Sequence, residues 1–203
     1  MAVLIRDRTI SRSLIAKRKY RGLDHYDEVW NGVYVMPPIP NNEHQAIAFR
    51  EGNILADVVS AEEGSIFVGV NVSDRVKGWK KNFRVPDVAL FLVANPAQDC
   101  GTHWCGGPDW LTEILSPGDA SRAKLAFYEK VGVREVLLID RDPWCIELYQ
   151  LQDHKLVLAG KSDLEKPNEL KSVVLPLSFQ MTAGLIRPLV LVKHTDGIRQ
   201  WYI

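Results

Sequence analysis

The chain has 203 residues, of which 46% are hydrophobic and 25% are charged, and its formal net charge is zero. This length suits one sizeable hydrophobic core, and the composition is ordinary for a soluble globular protein. A neutral net charge argues against a strongly basic protein that coats nucleic acid. No stretch approaches the roughly 20 apolar residues of a membrane span. The three cysteines suit a reducing compartment, so we expect a cytoplasmic protein with no membrane segment.

The first part of the chain is basic despite the neutral total. Between Met1 and Arg21 there are seven lysines or arginines and one acid, Asp7. A solvated, partly disordered tail and a contact with nucleic acid both agree with such a run. We therefore treat residues 1–25 as a basic N-terminal segment and residues 26–203 as a single domain.

The elements of the first half follow from hydrophobic periodicity and turn residues. Alternation around Asn31-Gly32 predicts a β-hairpin over 26–36. Asn41 or Asn42 can cap a helix that runs to about Ser60. Its predicted apolar contacts are Ala46, Ile47, Phe49, Ile54, Leu55 and Val58. A strand over 66–72 and a basic, aromatic loop or edge over 74–84 come next.

The second half predicts a βαβ unit. Val85 to Val93 is a nearly continuous apolar strand, and Trp110 to Leu115 is another. Asp119 then caps a helix that ends near Gly132, and a buried strand follows over 135–140. A hairpin over 146–159 and strands near 173–179 and 189–193 complete the chain. We expect an α/β fold with a mixed central β-sheet flanked by helices.

Three charged residues occupy apolar surroundings. Asp87 and Glu113 each lie among apolar residues of a predicted strand, and Lys124 lies on the helix stripe of Ala120, Phe127, Tyr128 and Val131. A buried charge is costly unless it is paired or bound to a metal. For the lysine alone, snorkelling to the helix edge is the simpler interpretation, but the three groups together can satisfy one another.

Two carboxylates on neighbouring strands predict a site for a hard divalent cation, Mg²⁺ or Mn²⁺. Asp87, Glu113 and the backbone carbonyl of Ile114 would supply its ligands. Lys124 would orient an attacking water and offset the charge that develops on a phosphate. The pattern therefore predicts the chemistry of a metal-dependent phosphodiesterase.

The motifs resemble the PD-(D/E)XK nuclease superfamily and, more closely, the Uma-type restriction endonuclease family. In the second half-motif, Leu115 stands where the superfamily usually has a lysine, and the resemblance moves that function to Lys124. The resemblance also adds Glu28, as a metal ligand or a partner of Lys124, and His44. The resembling stretches are 26–32, 36–38 with 44–45, 85–87, 108–117, the single positions Lys124 and Tyr128, 132–135 and 138–140.

The resemblance implies a restriction endonuclease-like fold and a Mg²⁺- or Mn²⁺-dependent endodeoxyribonuclease whose partner is DNA. Its expected catalytic residues are Lys124, Asp87, Glu113, Glu28 and His44. The basic segment from Lys77 to Arg84 is expected to contact phosphates. An inactive module for nucleic-acid binding or assembly, hydrolysis of a small phosphoester, and a homodimeric assembly stay open. The extension from Val190 to Ile203 has no counterpart in the resemblance.

Overall fold

The computed structural model of the chain describes residues 3–4, 8–116 and 120–203, with side chains from residue 12 onward. The predicted cap at Asp119 lies outside the described residues. The helices are α1 Arg8–Tyr20, α2 Asn42–Val58 and α3 Leu125–Val131, with 3₁₀ turns at Trp79–Lys81 and Ser121–Lys124. The strands are β1 Val3–Leu4, β2 Glu28–Trp30, β3 Val33–Met36, β4 Gly64–Val68, β5 Val72–Ser73, β6 Phe83–Arg84, β7 Val88–Leu92, β8 Gln98–Asp99, β9 Trp104–Cys105, β10 Trp110–Ile114, β11 Glu135–Arg141, β12 Trp144–Gln152, β13 Lys155–Asp163, β14 Leu170–Lys171, β15 Leu177–Thr182, β16 Leu189–His194 and β17 Gln200–Tyr202.

The central sheet has six strands in the order β13-β12-β11-β10-β7-β4. Strands β10 and β11 are parallel, and the other pairs in this sheet are antiparallel. The parallel pair is joined through α3, because two parallel neighbours need a crossover connection. The predicted mixed sheet and its β-α-β unit are confirmed.

Two hydrophobic layers cover the two faces of this sheet. Helix α2 and the four-stranded sheet β14-β15-β16-β17 pack on one face, where Trp110 stacks on Phe179 with ring centroids 5.0 Å apart. Helix α3 packs on the other face through Phe127 and Tyr128, against Ala89 and Leu111. Strands β7, β10 and β11 are therefore buried on both sides, which explains their nearly continuous apolar sequences.

A third sheet of short strands, in the order β1-β3-β2-β6-β5-β9-β8, carries the N-terminal hairpin. The hairpin turn has Asn31 at φ 49° and Gly32 at φ 85°, the two positive φ values that the Asn-Gly signal predicts. Asn41 caps α2, since its side chain accepts a hydrogen bond from the backbone N–H of His44. The hairpin and the helix cap are both confirmed.

Some predicted elements were wrong in their extent. The strand expected over 66–72 is split, because Gly69 takes φ 72° and the chain leaves the central sheet before Val72 pairs with Arg84. Strand β7 begins only at Val88, after Pro86, which has no N–H for a strand ladder. The helix expected before Val131 begins at Leu125, after the 3₁₀ turn that contains Lys124.

The basic N-terminal segment contains α1, which the sequence did not predict. Arg18 near its end donates to both carboxylate oxygens of Asp27, at 2.7 and 2.5 Å. This pair fixes the end of α1 next to β2. Within the described part of the chain, no helix is long and apolar enough to cross a membrane.

Candidate active site

A cavity of about 60 Å³ lies where the β2–β3 hairpin, the start of α2, strand β10 and the Ser121–Lys124 turn meet. Its wall contains all the residues that the sequence predicted as catalytic: Glu28, His44, Asp87, Glu113 and Lys124. They come from five separate segments: β2, the first turn of α2, the bend before β7, β10 and the 3₁₀ turn before α3. The prediction that Asp87 lies on a strand was wrong, because β7 begins only at Val88. Three acids and one lysine therefore share a small, largely enclosed space.

Lys124 is the centre of this cluster. Its Nζ lies 3.0 and 2.9 Å from the two carboxylate oxygens of Glu113 and 2.9 Å from Oε1 of Glu28. The residue is only 9% exposed. Burial alone would lower the pKa of Lys124, but the carboxylates of Glu113 and Glu28 raise it well above its ordinary value. The lysine is therefore a permanent cation at neutral pH.

Glu113 is a fully buried acid near the end of β10. Burial raises its pKa; the ammonium of Lys124 counteracts this rise, whereas the nearby carboxylates of Asp87 and Glu28 add to it. The hydroxyls of Tyr128 and Ser121 also donate to its carboxylate. The site thus gives Glu113 one cation and two hydroxyl donors, and places two further acids close by.

Glu28 lies on β2, an interior strand of the short-strand sheet, and its two carboxylate oxygens have different partners. Its Oε1 accepts the backbone N–H of Val85 at 2.8 Å, and its Oε2 accepts the indole N–H of Trp30 at 2.6 Å. The contact with Lys124 uses the first of these oxygens. Glu28 therefore links the hairpin to the segment that leads into Asp87.

Asp87 and His44 form a second pair in the same cavity. His44 Nε2 lies 3.2 Å from Asp87 Oδ2, which also accepts the backbone N–H of Ile114 at 2.7 Å. The other ring nitrogen of His44, Nδ1, is buried and has no hydrogen-bond partner among the described residues. Asp87 thus orients the imidazole, and Nδ1 is left to interact with a group that enters the site.

One residue of the predicted phosphate-binding segment does not fit its expected role. Arg84 is 4% exposed and lies over the rings of Trp30 and Phe127, with its guanidinium carbon 4.7 and 4.3 Å from their centroids. Its place behind the site, rather than on the surface, follows from its position on β6 inside the short-strand sheet. The neighbouring lysines, Lys77, Lys80 and Lys81, are exposed.

A buried acid on α2 was not predicted from the sequence. Glu51 is 1% exposed, and its Oε1 accepts hydrogen bonds from Trp110 Nε1 and Thr112 Oγ1, whereas its Oε2 has no partner among the described residues. Burial raises the pKa of Glu51 to about 7. The signal that could have found it was its spacing of seven residues from His44, which places both residues on the buried side of the helix.

The donor chemistry of the cavity fits a hard divalent cation. Carboxylates are the ligands that Mg²⁺ and Mn²⁺ prefer, and about 60 Å³ has room for roughly four waters or a partly hydrated ion. Among the residues described, however, no three acids, histidines or cysteines are grouped as a ready set of ligands. Both oxygens of Glu113 are engaged by Lys124.

Replacing Lys124 tests whether it neutralises the buried acids. We expect Lys124→Met to lower the free energy of unfolding by about 3–5 kcal/mol at pH 9, because Glu113, whose pKa burial raises to about 8, is ionised at that pH in the wild type and loses its cation in the variant. The loss should shrink as the pH falls through the raised pKa of Glu113, since the protonated acid needs no partner. Urea unfolding at pH 9 and pH 6, on either side of the raised pKa of Glu113, measures both effects. The matched variant Lys155→Met, at a lysine exposed on β13, should leave the free energy of unfolding nearly unchanged.

Glu51 gives a second expectation, with its own dependence on pH. Because the pKa of Glu51 is higher in the folded state than in the unfolded state, the free energy of unfolding should fall as the pH rises from about 4.5 to about 7. The rise in the pKa of Glu51 from 4.5 to about 7 corresponds to a loss of about 3 kcal/mol in the free energy of unfolding at high pH. We expect Glu51→Gln to abolish this slope and to be more stable than the wild type at pH 8. Equal slopes for both proteins in urea titrations at several pH values would contradict the role of Glu51.

Comparison with known proteins identifies the fold of the chain and the family to which it belongs. A solved structure from Anabaena variabilis, described as "a putative nuclease belonging to DUF820", superposes with a TM-score of 0.56 at 22% sequence identity. The match covers 72% of this chain and 80% of that one, and it shows a nuclease-like, restriction endonuclease-like fold. No curated protein matches the sequence. The model of the Uma2 family, described as "Putative restriction endonuclease", matches residues 21–184, and the chain belongs to this family.

Proposed function

We propose that the chain is a Mg²⁺- or Mn²⁺-dependent endonuclease that hydrolyses phosphodiester bonds of DNA. The observation that carries the proposal is the buried Lys124, held by Glu113 and Glu28 at the wall of a cavity that Asp87 and His44 also line. A folded chain does not concentrate three acids in such a space for stability alone, since buried ion pairs seldom stabilise more than apolar packing does. Membership of a family described as restriction endonucleases supports the same reaction.

Asp87 and Glu113 would hold the divalent cation, which, when bound, would activate water and polarise the phosphate. The side chains of the protein itself would carry out the rest of the reaction. Lys124 stabilises the negative charge that grows on the phosphate as the P–O bond to water forms and the ester P–O bond breaks. Glu28 keeps the ammonium in position through its own bonds to Val85 and Trp30. His44, oriented by Asp87, is placed to hold a proton released from water.

An inactive module for nucleic-acid binding is the second candidate. It is favoured by the engagement of both Glu113 oxygens with Lys124, which leaves no ready set of three ligands in the described part of the chain. For the enzyme, a cation entering the cavity must share Glu113 with the lysine. The two candidates therefore differ in whether a divalent ion binds and changes the protein.

Cleavage assays separate the two candidates. We expect the purified protein to cut plasmid DNA with Mn²⁺ or Mg²⁺ and not with a chelator, and Glu113→Gln, Asp87→Asn and Lys124→Ala each to lower the rate at least about 100-fold. The control Glu129→Gln, at an acid of α3 that lies outside the cavity and pairs with Lys155, should cut like the wild type.

The same samples identify the alternatives. Wild type that binds DNA without cutting it, and whose melting temperature ignores Mn²⁺, would establish the inactive module. Cutting of bis(p-nitrophenyl) phosphate without cutting of DNA would instead establish a small phosphoester as the substrate. Undiminished cutting by Glu113→Gln would show that the catalytic assignment is wrong.

Binding to DNA should depend strongly on salt, because a protein that neutralises phosphates releases counterions. The exposed lysines of the 77–81 segment lie next to the β2–β3 hairpin, where the backbone carbonyl of Lys81 accepts the N–H of Gly32. Changing Lys77, Lys80 and Lys81 to glutamine should reduce the slope of log affinity against log salt by about 0.9 for each phosphate that the variant no longer neutralises.

The matched control changes three lysines of the β13 region, Lys155, Lys161 and Lys166, and should leave the slope as it is. Fluorescence anisotropy with a labelled duplex, measured over a series of salt concentrations in a chelating buffer, gives the slopes. Equal slopes for the wild type and the 77–81 variant would remove that segment from the DNA interface.

A further inference from the structure

On helix α2 an apolar side chain is exposed and an acidic side chain is buried, which is the opposite of what their polarities favour. Phe49 was predicted to pack in the core, but it is 67% exposed, whereas Glu51 is buried. The helical repeat sets this arrangement, because His44, Ile47, Ala48 and Glu51 lie on the side that faces the sheet. The phenyl ring of Phe49 therefore contributes little to the core and is available to contact a ligand.

Phe49 lines a hollow of about 240 Å³ between α2 and the end of β4. Its apolar walls are Phe49, Ala48, Pro40, Tyr26 and Val68, the last of which is 52% exposed. Gln45 contributes an amide at its edge, with its NH₂ group bound to the carbonyl of Pro40 at 3.1 Å. We call this space the Phe49 hollow. Its volume is below the roughly 300–1,000 Å³ of pockets for drug-sized ligands, which suits one ring system.

The Phe49 hollow adjoins the catalytic cavity. Both are lined by Tyr26, Pro40, His44 and Asp87, so the His44–Asp87 pair stands between them. A group bound in the hollow therefore lies beside the place where a phosphate would meet the carboxylates. In a nucleotide strand, the group that lies beside each phosphate is a sugar with its base.

Two features hold the walls in place and supply charge nearby. The ring of Tyr26 packs against Gly69, where an added Cβ would lie 3.2 Å from Tyr26 Cε1, and against the edge of His25 at a centroid distance of 4.8 Å. The end of α1 is fixed close to Tyr26 by the pair of Arg18 and Asp27. The exposed cations of that helix end are Lys17, Lys19 and Arg21. The walls of the hollow are thus mainly apolar and aromatic, and a basic helix end is joined by the Arg18–Asp27 pair to the residue that follows Tyr26.

We propose that the Phe49 hollow binds one unstacked nucleobase of the strand whose phosphate enters the catalytic cavity. This inference rests on the proposed function, and it specifies that the bound strand presents a base that is unpaired or has been extruded from a duplex. An aromatic ring accepts any base by stacking, and basic residues follow the backbone. A base inside a duplex stays stacked and paired, so it reaches such a hollow only after it is extruded.

Binding of two oligomers of equal length and charge tests the proposal without any cleavage. The first is labelled oligothymidylate, and the second is an abasic deoxyribose-phosphate oligomer; affinities are measured by fluorescence anisotropy in a chelating buffer. We expect the wild type to bind oligothymidylate more tightly, and Phe49→Ala to lower that affinity about 5- to 100-fold with no change for the abasic oligomer. Phe49→Tyr, which keeps a ring, should bind like the wild type.

The control variant is Tyr202→Ala, which removes an exposed ring from β17, and it should bind both oligomers like the wild type. Equal decreases for both oligomers, no decrease for either, or no binding by the wild type would overturn the proposal. So would a change of oligomeric state in Phe49→Ala, measured by light scattering, without a change in oligomer binding, because a second copy of the chain would then cover the hollow.

The test of the base site can succeed or fail independently of the test of the proposed nuclease activity. If the wild type fails to cut any DNA but shows the base-dependent effect at Phe49, the nuclease activity is wrong and the base site stands. If the wild type cuts DNA and the Phe49 variants bind as it does, the base site is wrong and the nuclease activity stands.

Discussion

The ammonium group of Lys124 joins three parts of the chain that are distant in sequence. It binds Glu28 from the N-terminal hairpin and Glu113 from the middle of the central sheet, and it lies on the turn that leads into α3. Because each of these charges is buried, removing one of them would leave another without an opposite charge in an apolar environment, which is costly. Together with the bond from the Val85 N–H to Glu28 and the pairing of β2 with β6, this cation fixes the hairpin over the sheet and so shapes the cavity between them.

The cluster carries more negative than positive charge. Glu28, Glu113 and Asp87 line the cavity with one lysine, while Arg84 adds a positive charge from behind the site through the rings of Trp30 and Phe127. The raised pKa of Glu113 is in part the electrostatic consequence of this imbalance. An arrangement that costs stability is expected where a protein binds or transforms a ligand, and an excess of carboxylates favours a cationic one.

Helix α2 serves both the core and the site. Its buried side contributes Ile47, Ile54 and Leu55 to the larger hydrophobic cluster, and its first turn places His44 against Asp87. Strands β16 and β17 extend beyond the residues that the family model matches, and this extension packs on the same cluster through Val190, Val192 and Ile203. The extension therefore supports the sheet face on which α2 rests, away from the catalytic cavity.

The sequence by itself determined the local elements whose signals are short-range. The Asn31-Gly32 turn, the Asn41 cap and the end of α3 at Gly132 all follow from backbone preferences of single residues, and the buried strands follow from their apolar runs. The sequence also identified five of the residues that line the cavity, because charged side chains in apolar segments stand out and because the order of the motifs resembled that of a known family.

Only the tertiary structure decided how those residues contact one another and which other residues join them. Packing between segments far apart in the chain decided that Lys124 pairs with two acids and that Arg84 is buried. It also decided that Phe49 is exposed while Glu51 is buried. Periodicity reports which residues share a face of an element, but it does not say what packs on that face. The helical phase of α2, set by its contacts with the sheet, placed a carboxyl group inside and a phenyl ring outside.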